Sequence, residues 1–160
     1  MNFVKLAAAA LLAVLTSSAS YAQAPEPAAA WRVECTGDGK VLDCRAIQQL
    51  FQRDTRQLVL SILVRQPADA KTATMMIQLP LGLSLTEPVL LKVDSGQPER
   101  QSIQTCTNTG CFVGMPVPDK LLASMRTGKE LKLTVQDNAK KPIDLTVPLL
   151  GFGVAYDKVK

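Results

Sequence analysis

The 160-residue sequence contains no histidine. Histidine is the side chain most often used as a general base near neutral pH, and the commonest metal ligand. Its absence excludes the Ser-His-Asp triad and most zinc sites. Aromatic residues are scarce as well, with one Trp, two Tyr and four Phe. Nucleic-acid-binding chains interleave aromatics with a basic stripe. No such stripe is present, and the one local basic cluster is Lys140-Lys141 in a predicted turn. Nucleic acid is therefore not an expected partner, although a net charge of +4 allows weak attraction to an anionic surface.

Long apolar runs are also few. The unbroken one covers residues 6–15, which is too short for a membrane span of roughly 20 apolar residues. It follows the positive charge of Lys5 and precedes a small, polar stretch ending Ser20-Tyr21-Ala22. Charge, apolar run and small residues in that order mark a secretory signal peptide. Cleavage is expected between Ala22 and Gln23, and no Cys follows the run to take a lipid anchor. Residues 1–22 are read as the signal peptide. Residues 23–30, with Pro25 and Pro27, are read as a disordered leader, and residues 31–160 as one domain.

What remains is dominated by period-two alternation. Trp31, Val33 and Cys35 share one face. Leu58, Leu60, Ile62 and Val64 share another, with Val59 and Leu63 also apolar, so that strand is expected to be central and buried on both sides. Ala73, Met75, Ile77 and Leu79 alternate with polar residues and Met76, which places Met75 inward and Met76 outward. The same period runs through Val89–Val93, through Leu131, Leu133 and Val135, and through Ile143, Leu145, Val147 and Leu149. Polar turns separate them, as at Asp94-Ser95-Gly96. One short helix is predicted near 119–127, with Asp119 as its cap and Gly128 as its stop. Many short strands with one helix predict an all-β sandwich with an aliphatic core and Trp31 as its one large anchor.

Four cysteines in an exported chain of this size imply disulfides, with three possible connectivities. Cys35 with Cys44 and Cys106 with Cys111 is the favoured set. Cys35 and Cys44 can face each other across a hairpin that turns at Gly39-Lys40, with both sulfurs toward the core. Cys106 and Cys111 flank Thr107-Asn108-Thr109-Gly110, a tight-turn composition. Neither spacing suits zinc, and neither pair has the two-residue spacing of catalytic dithiols. No metal or cofactor is expected.

Several of these residues also form a recognisable set. Trp31-Arg32-Val33-Glu34-Cys35 opens the domain and Cys44 follows. Ile77 to Leu83 contains Pro80-Leu81-Gly82, and Val93-Asp94 precedes a turn. Cys106, Gly110-Cys111, Leu149-Leu150-Gly151-Phe152 and Ala155 complete the order. This order resembles the invasion-associated locus B family of alphaproteobacterial exported proteins, over nearly all of the chain after residue 30. The resemblance implies an immunoglobulin-like β-sandwich and a periplasmic or cell-envelope location, with surface association or secretion also open. It implies a link to host-cell invasion, and it offers no catalytic residues to carry over.

The leading expectation is a non-enzymatic protein that binds an envelope or host-surface protein. A chaperone or small-ligand carrier would need a groove or cavity. An enzyme would need a strongly perturbed Lys, Asp or Cys in a cleft. Residues 65–71 and 94–100 are the loops picked out as places for a site.

Overall fold

The computed structural model describes residues 31–37, 42–67 and 69–159. The expected signal peptide, its cleavage site at Ala22 and Gln23, the leader 23–30 and the turn at Gly39-Lys40 lie outside the described residues.

The alternating segments form ten strands in two antiparallel sheets. The larger sheet holds β1 (Arg32–Gly37), β2 (Leu42–Phe51), β3 (Leu58–Arg65), β4 (Ala73–Leu79), β8 (Gly110–Val117) and β7 (Thr105–Thr107), in that lateral order. The smaller holds β10 (Pro142–Pro148), β9 (Glu130–Gln136), β5 (Val89–Val93) and β6 (Glu99–Gln101). This is the all-β, two-layer arrangement that period-two alternation demands, since each sheet has one apolar face to cover.

The layers meet in one continuous cluster of buried side chains. Leu60, Ile62 and Val64 of β3 and Met75, Ile77 and Leu79 of β4 face Leu91, Leu131 and Leu133. Met75 is inside and Met76 outside, as the alternation requires. β3 is central, but only its inner face is fully buried. Its outer side chains Val59, Ser61 and Leu63 are half-buried, because cross-strand neighbours alone cover them. β10 follows its expected parity only toward its end. Val147 is buried while Ile143 is exposed, because β10 is an outer strand.

The predicted helix is α1 (Asp119–Thr127). Asp119 does not cap it. Pro118 occupies the cap position and makes no side-chain bond, so Asp119 acts in the first turn, where a carboxylate favours the positive end of the helix dipole. Gly128 ends the helix with its N–H on Ser124 O at 2.7 Å. A second helix, α2 (Phe152–Tyr156), forms where Gly151 and Gly153 suggest only a turn. It adds Phe152 and Tyr156 to Trp31, so the core has an aromatic cluster instead of a single anchor. Trp31 meets Phe152 edge-on at 4.9 Å, and Phe152 stacks on Tyr156 at 5.9 Å.

Register fixes the two ends of the sandwich. At the helical end lie α1, α2, the turn after β5, the end of β1 and the start of β2. At the other, the loop end, lie the end of β2, the start of β8, the turn after β9 and residues 80–88.

Candidate functional site

The cysteines staple opposite ends. Cys35 and Cys44 stand directly opposite in register and are disulfide-bonded at the helical end. Cys106 and Cys111 do the same at the loop end. The first bridge does not point into the core as expected. β2 joins β3 only from Ala46 onward, so the end of β1 and the start of β2 run past the third strand, and Cys35 is exposed, with Cys44 at the margin of the core. The second bridge is different, because Cys111 is buried.

Of the two loops singled out, residues 65–71 are anchored and not open. Gln66 accepts from the Tyr156 hydroxyl at 2.6 Å, and its Nε2 donates to Ala70 O and Lys71 O. Residues 94–100 border an open depression of ≈ 710 Å³ on the outer face of the smaller sheet. Its walls carry Lys92, Lys129 and Lys132 with the carboxylates Asp94 and Glu130 and the hydroxyls Ser95 and Thr146.

Asp94 holds this corner together. It adopts a left-handed φ of 48°, and its carboxylate accepts from the backbone N–H of Lys129 and Glu130 at 3.0–3.2 Å. Gly128 makes that approach possible. A Cβ there would stand 2.4 Å from Val93 Cγ1 and 3.0 Å from Asp94 Oδ2. Asp94 is therefore spent on the backbone and not poised for chemistry.

Lys92 and Lys132 are directly opposite on neighbouring strands, a like-charge pair. Asp144 relieves it. Lys132 Nζ sits 2.7 Å from its Oδ2, and the Thr134 hydroxyl donates to its Oδ1 at 2.6 Å. The Lys132 bond first, and the Thr134 bond second, hold the Asp144 carboxyl below the usual carboxylate range. Among the described residues, Lys92 and Lys129 make no ion pair within 4 Å. The depression can hold an anionic group, but it is open to water, where such contacts are weak.

The remaining features are apolar: Leu42, Leu150 and Val154 are exposed at the helical end, and a larger set lies at the loop end. Phe51 is 52% exposed, Leu81 56%, Leu85 60% and Ile143 38%. Residues 80–88 bring them to the same end. Leu79 pairs with Cys111, Ser84 N–H bonds Gln136 O, Asn138 N–H bonds Gly82 O, and Leu83 bridges Asp137. Ile143 pairs with Val135 beside that bridge, and Phe51 closes β2 opposite Leu58. Linear sequence hides both features, since their members are far apart in the chain and meet only through strand register.

Comparison with known proteins now decides the family. The profile described as invasion associated locus B (IalB) protein matches residues 31–160. The chain belongs to the invasion associated locus B family. An invasion protein B homologue of Brucella abortus strain 2308 is 27% identical over 131 residues, covering 81% of this chain and 75% of that protein. Invasion protein B of Bartonella bacilliformis is 29% identical over 134 residues, covering 81% and 70%. The crystal structure of invasion associated protein B from Bartonella henselae superposes with a TM-score of 0.74 at 27% identity, covering 82% of this chain and 90% of that one. The residues that carry the family resemblance have structural tasks here. Trp31 and Phe152 pack together, and Gly110 sits at a φ of 143° in the β7–β8 turn.

Proposed function

We propose that this chain is a non-enzymatic, exported envelope protein that binds an envelope or host-surface protein through the loop end of its sandwich. The observation that carries this is the gathering of four exposed apolar side chains, Phe51, Leu81, Leu85 and Ile143, at the loop end, against three, Leu42, Leu150 and Val154, at the helical end. Exposed apolar side chains scattered singly need no explanation, but several at one end mark an interaction surface. Interface cores are rich in such side chains, with a polar rim around them, and Glu87 and Lys140 form an ion pair at this same end. The two disulfides fit an oxidising compartment outside the cytoplasm. No helix among the described residues is long and apolar enough to cross a membrane. The names of the Brucella and Bartonella relatives support a role at the host interface.

The test is site-specific photo-cross-linking in cells, with the probe at Leu81 or, as a control, at Lys132. One protein captured at Leu81 and not at Lys132 is the expected result. With the probe kept at Leu81, Phe51→Ser with Leu85→Ser should abolish that capture and leave the melting temperature unchanged. Equal capture from both positions, or none from Leu81, overturns the assignment. Mass spectrometry of the same protein from the fractionated envelope should give a chain that begins at Gln23, as glutamine or its cyclised form.

A further inference from the structure

β10 is the outer strand of the smaller sheet, and among the described residues one flank of it has no partner strand. One bond shows which backbone groups look outward. Leu149 N–H donates to Lys129 O at 2.8 Å, continuing the register that sets Pro148 opposite Glu130. Bonding in an antiparallel ladder alternates residue by residue. Ile143, Leu145 and Val147 therefore bond to β9, and Pro142, Asp144, Thr146 and Pro148 turn their backbone groups away from it. Pro148 confirms the parity, since its carbonyl accepts the Trp31 indole N–H at 2.9 Å from outside the sheet. Proline has no N–H. The open flank thus offers the N–H groups of Asp144 and Thr146 between two residues that cannot donate. Among the described residues nothing accepts from these two N–H groups.

We infer that this flank pairs with the same flank of a second copy of the chain, as antiparallel strands about a two-fold axis at Leu145. In that register Asp144 stands opposite Thr146 of the second copy, twice over. Each such pair exchanges both of its N–H···O bonds, so every outward N–H finds a carbonyl. Pro142 falls opposite Pro148 of the second copy, where neither has a proton to give. The Pro148 carbonyl, already held by Trp31, is asked for nothing. An unrelated extended peptide would bring an N–H to a carbonyl that already accepts from Trp31, a weaker use of its donor.

Neighbouring registers are worse for stated reasons. Centring the axis on Asp144 sets two carboxylates directly opposite. Centring it on Thr146 sends the Asp144 N–H to the occupied Pro148 carbonyl. With the axis at Leu145, Ile143 is covered by Val147 of the second copy. Thr146 pairs with Lys132 within its own sheet, so the Lys132 ammonium of one copy lies beside the Asp144 carboxylate of the other. A bare strand edge invites unspecific pairing, and prolines at both ends restrict it to one closed, symmetric mode. This inference does not rest on the loop-end reading, and in the paired state it takes Ile143 out of that surface.

The experiment is analytical ultracentrifugation of residues 23–160, disulfides intact, at high micromolar concentration. A dimer is expected. Thr146→Pro removes an outward donor without touching the β9 ladder, and should give a monomer with unchanged circular dichroism. Register is tested separately. Leu145→Cys should give a covalent dimer on oxidation, and Ile143→Cys should not, because only position 145 meets itself. If Thr146→Pro does not fold, the cysteine pair decides. A wild-type monomer overturns the inference, whether the flank is bare or covered by residues 23–30 of its own chain. So does a dimer that survives Thr146→Pro, or equal cross-linking from both cysteine variants.

Discussion

The indole N–H of Trp31 reaches the carbonyl of Pro148 at 2.9 Å across 117 positions of sequence, so the first described residue holds the end of the last strand. The ring also packs edge-on against Phe152. Trp31→Phe keeps most of the ring contact and loses the bond, and should cost about 1 kcal/mol. Trp31→Ala loses both and should cost about 3–5 kcal/mol. Urea unfolding measures the two. Equal losses would assign the whole effect to the hydrogen bond.

Gly110 is a second tight point. Its φ of 143° is a conformation that side-chain-bearing residues rarely adopt, and a Cβ would stand 2.4 Å from Leu79 O. Gly110→Ala must therefore shift β8 away from β4 beside the Cys106–Cys111 bridge. A loss of about 1–3 kcal/mol is expected. An unchanged unfolding midpoint would contradict this geometry.

Asp144 predicts an acid dependence. Its carboxyl is held below the ordinary carboxylate range by Lys132 and then Thr134. A depressed folded pKa means that the unfolded chain binds the proton more readily. The contribution is thus complete above the unfolded value of about 3.9, and is lost as pH falls through the folded value. The stability difference between the protein and Asp144→Asn should be constant at neutral pH and shrink below about pH 4. A difference that instead grew as pH fell would reverse the sign and sink the assignment.

The two disulfides should differ in access. Cys35 is exposed near the end of β1, and Cys111 is buried. Thiolate attack depends on reaching a sulfur. Graded reduction followed by alkylation and mass spectrometry should label Cys35 and Cys44 first. Removing either bridge by paired Cys→Ser substitution should cost on the order of 2–3 kcal/mol, since both close short loops.

Legibility in the sequence followed the range of the forces involved. Leu131, Leu133 and Val135 alternate against charged neighbours, and their burial is read directly from that pattern. The helix at Asp119–Thr127 was equally plain, because its apolar stripe is local. α2 was not, since five residues are too few to show a helical period, and its two glycines argue for a turn. Ile143 belongs to an alternating run and is nevertheless exposed, because being an outer strand is a property of the sheet. The depression joins Lys92 to Lys129 and Lys132, and the loop end joins Phe51 to Leu81 and Ile143. Those groupings depend on strand order, which alternation does not encode.

The staples have one further consequence, which concerns order in time. Each bridge joins a cysteine to the next one along the chain, Cys35 to Cys44 and Cys106 to Cys111. A polypeptide threaded out of the cytoplasm amino end first presents its thiols in that same order. An oxidase that links each newly arrived thiol to the one before it produces both native bridges without rearrangement. Under the export proposed above, the pairing of neighbours lets the chain mature where oxidation is rapid and reshuffling slight, with its covalent pattern complete once Cys111 has emerged.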